Sequence, residues 1–125
     1  MFSAAVRARD FARAELLFLP DVVSFGTVGH LLNGLVNLRR EQWEVVWNRT
    51  SDFTFDESTI VVQEDPAMTV VLTEWASTGY GADGKPFPRR GRATIVLRRR
   101  ESGWLASHTH FSFTPQGCHD PLLHH

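Results

Sequence analysis

The chain has 125 residues, 42% of them hydrophobic and 22% charged, with 13 basic against 14 acidic side chains. That length fits one domain with a sizeable core. A net charge near zero supplies no global attraction to nucleic acid or to an anionic membrane surface. The lone cysteine, Cys118, excludes an intrachain disulfide. No apolar run approaches the ~20 residues of a membrane span. Arg7, Asp10, Arg13 and Glu15 interrupt the opening apolar stretch, so it is no secretory leader. Together these features predict a cytoplasmic protein that engages neither nucleic acid nor membrane.

Residues 1–18 read as helix, with Phe11, Ala14, Leu17 and Phe18 forming an apolar stripe. Asp10 is placed to cap a second short helix, and Pro20 ends the segment. The β-favouring Val22, Val23 and Phe25 make residues 21–27 a short strand. A loop with Gly29, Asn33 and Gly34 follows. From Leu35 to Trp47 the apolar positions return to helical spacing, with Arg39, Arg40, Glu41 and Glu44 on the polar side. Four strands succeed one another: 53–64, 68–80, 89–100 and 104–113. The turns between them carry Asp65-Pro66, "GADGK" and "ESG". Residues 116–125 read as a loose tail after a domain over 1–115. Helices followed by a run of strands predict an α+β fold, an antiparallel sheet with helices on one face.

The order and spacing of "FLPDVVSFGT", "GLVNLRREQWEVVW", "TEWASTGYGADGKPFPRRGRATIVLRR" and "GWLASHTHFSFTP" resemble the nuclear transport factor 2-like superfamily in its SnoaL-like branch. The association domain of calcium/calmodulin-dependent protein kinase II is a relative. The last piece carries the recurring pattern Trp, His-x-His, aromatic, Ser. The resemblance covers residues 3–115 and implies a cone-shaped, cystatin-like fold. A curved antiparallel sheet wraps around N-terminal helices and encloses a pocket, and members commonly dimerise through the outer face of the sheet. The first helix is a turn or two shorter than the family's usual one. Either the domain begins upstream of Met1 or its cone is less covered.

Strand residues alternate between faces, so His108 and His110 share one side of strand 104–113. Leu105, Ser107, Thr109, Phe111 and Phe113 share the other, which is placed towards the helices. A metal site on the two imidazoles would need a third ligand, and none stands at ligand spacing. Acid–base chemistry is a second reading. Imidazoles hydrogen-bonded in a sheet interface are the preferred one. Arg92 and Arg98 fall on the same outer face, where Glu74 is placed to pair across strands. These five residues are the candidate dimer face.

The resemblance matches Trp75, Ile95 and Phe111 to pocket arginines of the kinase association domain. All three are apolar here, which implies a pocket without anion-binding character. Such a pocket suits a small apolar or aromatic molecule, with Thr73, Ser77 or Thr109 as polar contacts. The same side chains could instead fill the cone as core. Trp43 and Trp47, four residues apart, share a helix face. Phe25 completes the candidate lining. Arg39 roughly matches a basic pocket residue of the kinase domain and is placed near the opening, with His30 over the entrance. Relatives of the ketosteroid isomerase and SnoaL type imply a buried carboxylate or histidine as proton shuttle. Asp21 is the carboxylate candidate besides His108 and His110. The only tyrosine, Tyr80, lies near a turn and supplies no oxyanion partner.

Three functions stay open. The first is a homodimeric binder of a small organic molecule, expected without cofactor or metal. The second is an isomerase-type enzyme acting on a carbonyl substrate. The third is an assembly module whose pocket is filled by side chains.

Overall fold

The computed structural model describes residues 1–115; the expected tail at 116–125 lies outside the described residues. The N-terminal segment is two helices rather than one, α1 (Phe2–Ala8) and α2 (Phe11–Glu15). Arg9 breaks them apart in the left-handed region at φ 53°, and the amides of Arg9 and Asp10 close back on Val6 and Ala5. Asp10 then caps α2, its carboxylate accepting the Arg13 amide at 3.1 Å. Strand β1 (Phe18–Phe25) starts before Pro20, not after it. The strand tolerates proline because its ladder to β6 (Gly103–Phe113) is interrupted between Phe18 and Val23. The segment read as loop holds the short strand β2 (Leu31–Asn33). A helical run follows: α3 (Leu35–Leu38), a π turn (Arg39–Trp43), α4 (Glu44–Val46) and a 3₁₀ turn (Trp47–Arg49).

Strands β3 (Thr50–Glu64), β4 (Met68–Tyr80) and β5 (Pro86–Arg100) complete a six-stranded sheet in the order β2-β1-β6-β5-β4-β3. The fold is α+β, as expected, with helices against one face of a curved sheet. The sheet is mixed rather than purely antiparallel, because β1 pairs with β6 in parallel. Strands β3 to β6 are joined by short turns and must alternate in direction. Strand β1 meets β6 only after the long excursion through the helices, which permits a parallel pair. Strand β3 is an edge. Its register breaks between Ser51 and Thr54 and between Asp56 and Val61. Asp52 sits at φ 58°, and Asp56 accepts the Ser58 amide at 3.1 Å and its hydroxyl at 2.6 Å.

In β6, Val96 pairs with His108 but Leu97 pairs with Ala106, so Ser107 is an extra residue. This bulge corrects the simple alternation read from the sequence. Beyond it Thr109 and Phe111 face the helices, as read; before it Ala106, not Leu105, faces inward. The inner faces of β4 and β5 bring Thr69, Thr73, Trp75 and Ala93 to the same side.

Two contacts fix the interior. Trp75 lies across Gly91, its register partner. A Cβ on Gly91 would stand 2.4 Å from the indole and 2.1 Å from the Ser112 carbonyl oxygen. The indole nitrogen donates to the Arg92 carbonyl at 3.2 Å. At the other end α1 is stapled to the sheet. Arg9 donates to the carbonyls of Trp47 (2.9 Å) and Thr50 (3.1 Å), and Arg7 to that of Phe53 (2.8 Å). The staple holds Phe2 within 6.2 Å of Phe18, Trp43, Trp47, Phe53, Phe55 and Phe111, measured between ring centroids.

Gly91→Ala is expected to lower stability by about 1–3 kcal/mol in urea unfolding, and an unchanged midpoint would mean that Trp75 does not lie across this glycine. Arg9→Ala removes two side-chain hydrogen bonds and should cost about 1–3 kcal/mol. It should also raise acrylamide quenching of the tryptophans, since Phe2 screens Trp43 and Trp47.

Candidate functional site

Among the described residues, two partly open apolar cavities lie between the helices and the sheet. The first, about 50 Å³, is lined chiefly by aromatic side chains: Phe2, Phe18, Trp43, Trp47, Phe53, Trp75 and Phe111. The second, about 250 Å³, is almost wholly apolar and reaches Leu17, Val71, Ile95, Leu97 and Trp104. Phe2, Phe18, Thr109 and Phe111 line both and so stand between them. Trp43 stacks on Trp47 at 4.7 Å and 16°, and Phe11 stacks on the far side of Trp47 at 5.3 Å.

Polar groups at the first cavity are mostly satisfied by the protein. The Ser24 and Thr109 hydroxyls share a hydrogen bond of 2.7 Å. Gln42, turned in by the π segment, donates to the Thr27 hydroxyl at 3.1 Å and accepts the Val28 amide at 3.2 Å. Gly26 makes room for it, since a Cβ there would stand 2.4 Å from Gln42 Oε1. Thr50 donates to the Val46 carbonyl at 3.0 Å.

Arg89 is the charged side chain of the lining. Its guanidinium lies 5.3 Å from the Trp75 ring centroid and 5.2 Å from that of Phe113, within cation–π range of both. One of its nitrogens donates to the Ser77 hydroxyl at 3.0 Å. Among the described residues no carboxylate lies within ion-pair distance. Burial lowers its pKa from the ordinary arginine value, but arginine starts so far above neutrality that the charge remains.

Of the expected lining, Trp43, Trp47, Trp75, Thr109 and Phe111 border the first cavity. Ile95 borders the second. Thr73 borders neither; it is buried against β3, within 3.3 Å of the Thr59 hydroxyl. Phe25 borders the first cavity, yet its ring packs outward, 5.1 Å from the His110 ring and 6.2 Å from that of His108. The parallel pairing explains this, because Phe25 pairs with His110 while Ser24 pairs with Thr109. Arg39 is not at the opening. It is held by Glu15 and, at 3.0 Å, by Glu44, with its guanidinium 5.1 Å over Phe11. Hydrogen bonds to these two carboxylates, Glu15 first, raise its pKa. His30 contacts Glu41 at 3.4 Å on the surface.

The acid–base candidates lie away from both cavities. Asp21 is exposed on β1. His108 Nδ1 donates to the Val23 carbonyl at 2.6 Å, and His110 is exposed. Glu74 and Arg92 are direct register partners on the outer face, but they form no ion pair in the structure. Arg98 is exposed beside Met68 and Leu105. Sequence reasoning missed Phe2 and Arg89. Alternation along β5 could have found Arg89, which is in phase with Gly91, Ala93 and Ile95 rather than with Arg92.

The SnoaL-like domain model matches residues 1–116. No curated protein matches the chain. Among solved structures, a nuclear transport factor 2-like superfamily protein from Salmonella enterica serovar Typhimurium superposes with a TM-score of 0.81 at 17% identity, over 96% of this chain and 88% of that one. A candidate calcium/calmodulin-dependent protein kinase II association domain from Xanthomonas campestris gives 0.79 at 20% identity, over 93% and 82%. A ketosteroid isomerase-like protein from Erwinia carotovora gives 0.78 at 19%, over 92% and 89%. At these identities the likeness is one of fold. With the family model spanning the whole described structure, the chain belongs to the SnoaL-like domain family, on the nuclear transport factor 2-like fold.

Proposed function

We propose that this domain is a homodimeric binder of a small, largely apolar organic molecule, which enters the cone by displacing the Phe2 ring. The observation that carries the reading is the aromatic partition itself. Phe2 comes from a seven-residue helix, stands between the two cavities and is only half-buried. With its ring withdrawn, the cavities of about 50 and 250 Å³ join into a space at the lower end of the roughly 300–1,000 Å³ typical of ligand pockets. No lining residue is a carboxylate, imidazole or phenol, so the site supports holding a molecule rather than moving its protons, and the proposal assigns no catalysis.

The dimer reading rests on the outer face of β4, β5 and β6. Val70, Leu72 and Val96 are half-buried there without helices over them, next to Arg92, His108 and His110. An aliphatic strip flanked by charge suits a self-complementary contact.

Titration with benzyl alcohol, read by tryptophan fluorescence, tests the first part. Phe2→Ala should bind at least about tenfold more tightly than the wild type, because it no longer has to expel the ring. Saturable binding in neither protein would overturn the reading in favour of an assembly module with a filled cone. His110→Glu puts a second acid on the Glu74-bearing face and should shift the chain towards monomer by light scattering; an unchanged dimer would rule out that face.

A further inference from the structure

We infer that Arg89 makes this cavity selective for a monocarboxylic acid with an apolar or aromatic body, the carboxylate taken by the guanidinium and the body laid against Trp43, Trp47 and Phe111. The inference rests on the ligand-binding reading above and adds the ligand's charge and head group.

Four observations converge on it. Arg89 borders the aromatic cavity, while its only side-chain hydrogen bond among the described residues uses one donor, towards Ser77. A guanidinium offers five. Its remaining nitrogens keep some accessible surface, since no fully buried side-chain nitrogen or oxygen among the described residues lacks a partner. The other polar groups of the lining already have protein partners, which leaves Arg89 as the recognition element. The Trp75 and Phe113 rings, themselves 5.9 Å apart, both lie against the guanidinium and limit its freedom, while its planar fork suits a two-pronged grip on a carboxylate.

The charge count selects among anions. Trp75, Ile95 and Phe111 bring no cation, and Arg39 is committed to Glu15 and Glu44. One positive charge balances one carboxylate. A phosphate dianion would leave a second charge uncompensated beside apolar walls, which is costly.

The test compares benzoate with benzyl alcohol, its neutral counterpart, on the wild type, Arg89→Gln and Arg89→Lys, each also in the Phe2→Ala background. The wild type should bind benzoate about tenfold or more tightly than benzyl alcohol, the value of a charge-assisted hydrogen-bond pair. In Arg89→Gln the two dissociation constants should converge, and Arg89→Lys, which keeps the charge without the planar fork, should fall between. Equal binding of both probes by the wild type, or a benzoate preference that survives Arg89→Gln, overturns the role of Arg89 and leaves the apolar site standing. Binding of neither probe in any background removes the site and this assignment with it. Phenyl phosphate bound more tightly than benzoate would refute the charge count.

Discussion

Strand β6 carries one more residue than β5 across the Val96–Leu97 step, and the contents of the cone follow from that bulge. Side chains in a strand change face at every residue, so an unbroken β6 could not send both Ala106 and Thr109 inward. With Ser107 taken out of the count, Ala106 and Thr109 are each only 3% exposed and Phe111 reaches the centre. The two imidazoles consequently look away from the cavity, and Thr109 is free to close its hydroxyl on Ser24 of the parallel strand. Phe25 is carried outward by the same pairing.

The interior so defined is dominated by π faces. Phe2, Trp43, Trp47, Phe53, Trp75 and Phe111 meet at tilted, stacked and edge-on angles, the arrangements that ring quadrupoles favour. A surface of this kind grips flat apolar matter and stabilises cations. Arg89 is retained there without a carboxylate because Trp75 and Phe113 offer it electron-rich faces. Among the described residues Asp21, His108 and His110 line neither of the two cavities.

The overall fold was legible in the sequence because long strands rich in β-branched residues and a helix with paired tryptophans have strong periodicity. Strand β4 coincides with the predicted 68–80. The failures are local and have separate causes. Arg9 adopts a left-handed cap that glycine more often supplies, so nothing marked the break between α1 and α2. Pro20 reads as a terminator, yet it sits in the unpaired part of a strand. Nothing in the residue type of Ser107 announces a bulge, so simple alternation puts the near half of β6 on the wrong faces. For the site, the tryptophans and Phe111 were recoverable from spacing. Phe2 was not, because its importance comes from partners as distant in sequence as Phe111. Arg89 was hidden in a cluster whose other members point to solvent or lie on the opposite face.

The broken register of β3 bears on how the chain behaves at high concentration. As the outermost strand it exposes a row of unused amides and carbonyls, and Ile60, Val61 and Val62 are 40–51% exposed along it. A straight strand of that composition would template a second chain and grow into a fibril-like ladder. The left-handed Asp52, the Asp56–Ser58 turn and the bordering Glu57 and Glu64 interrupt that template and give it like charges. Irregularity at this margin therefore works against edge-to-edge pairing between copies of the chain.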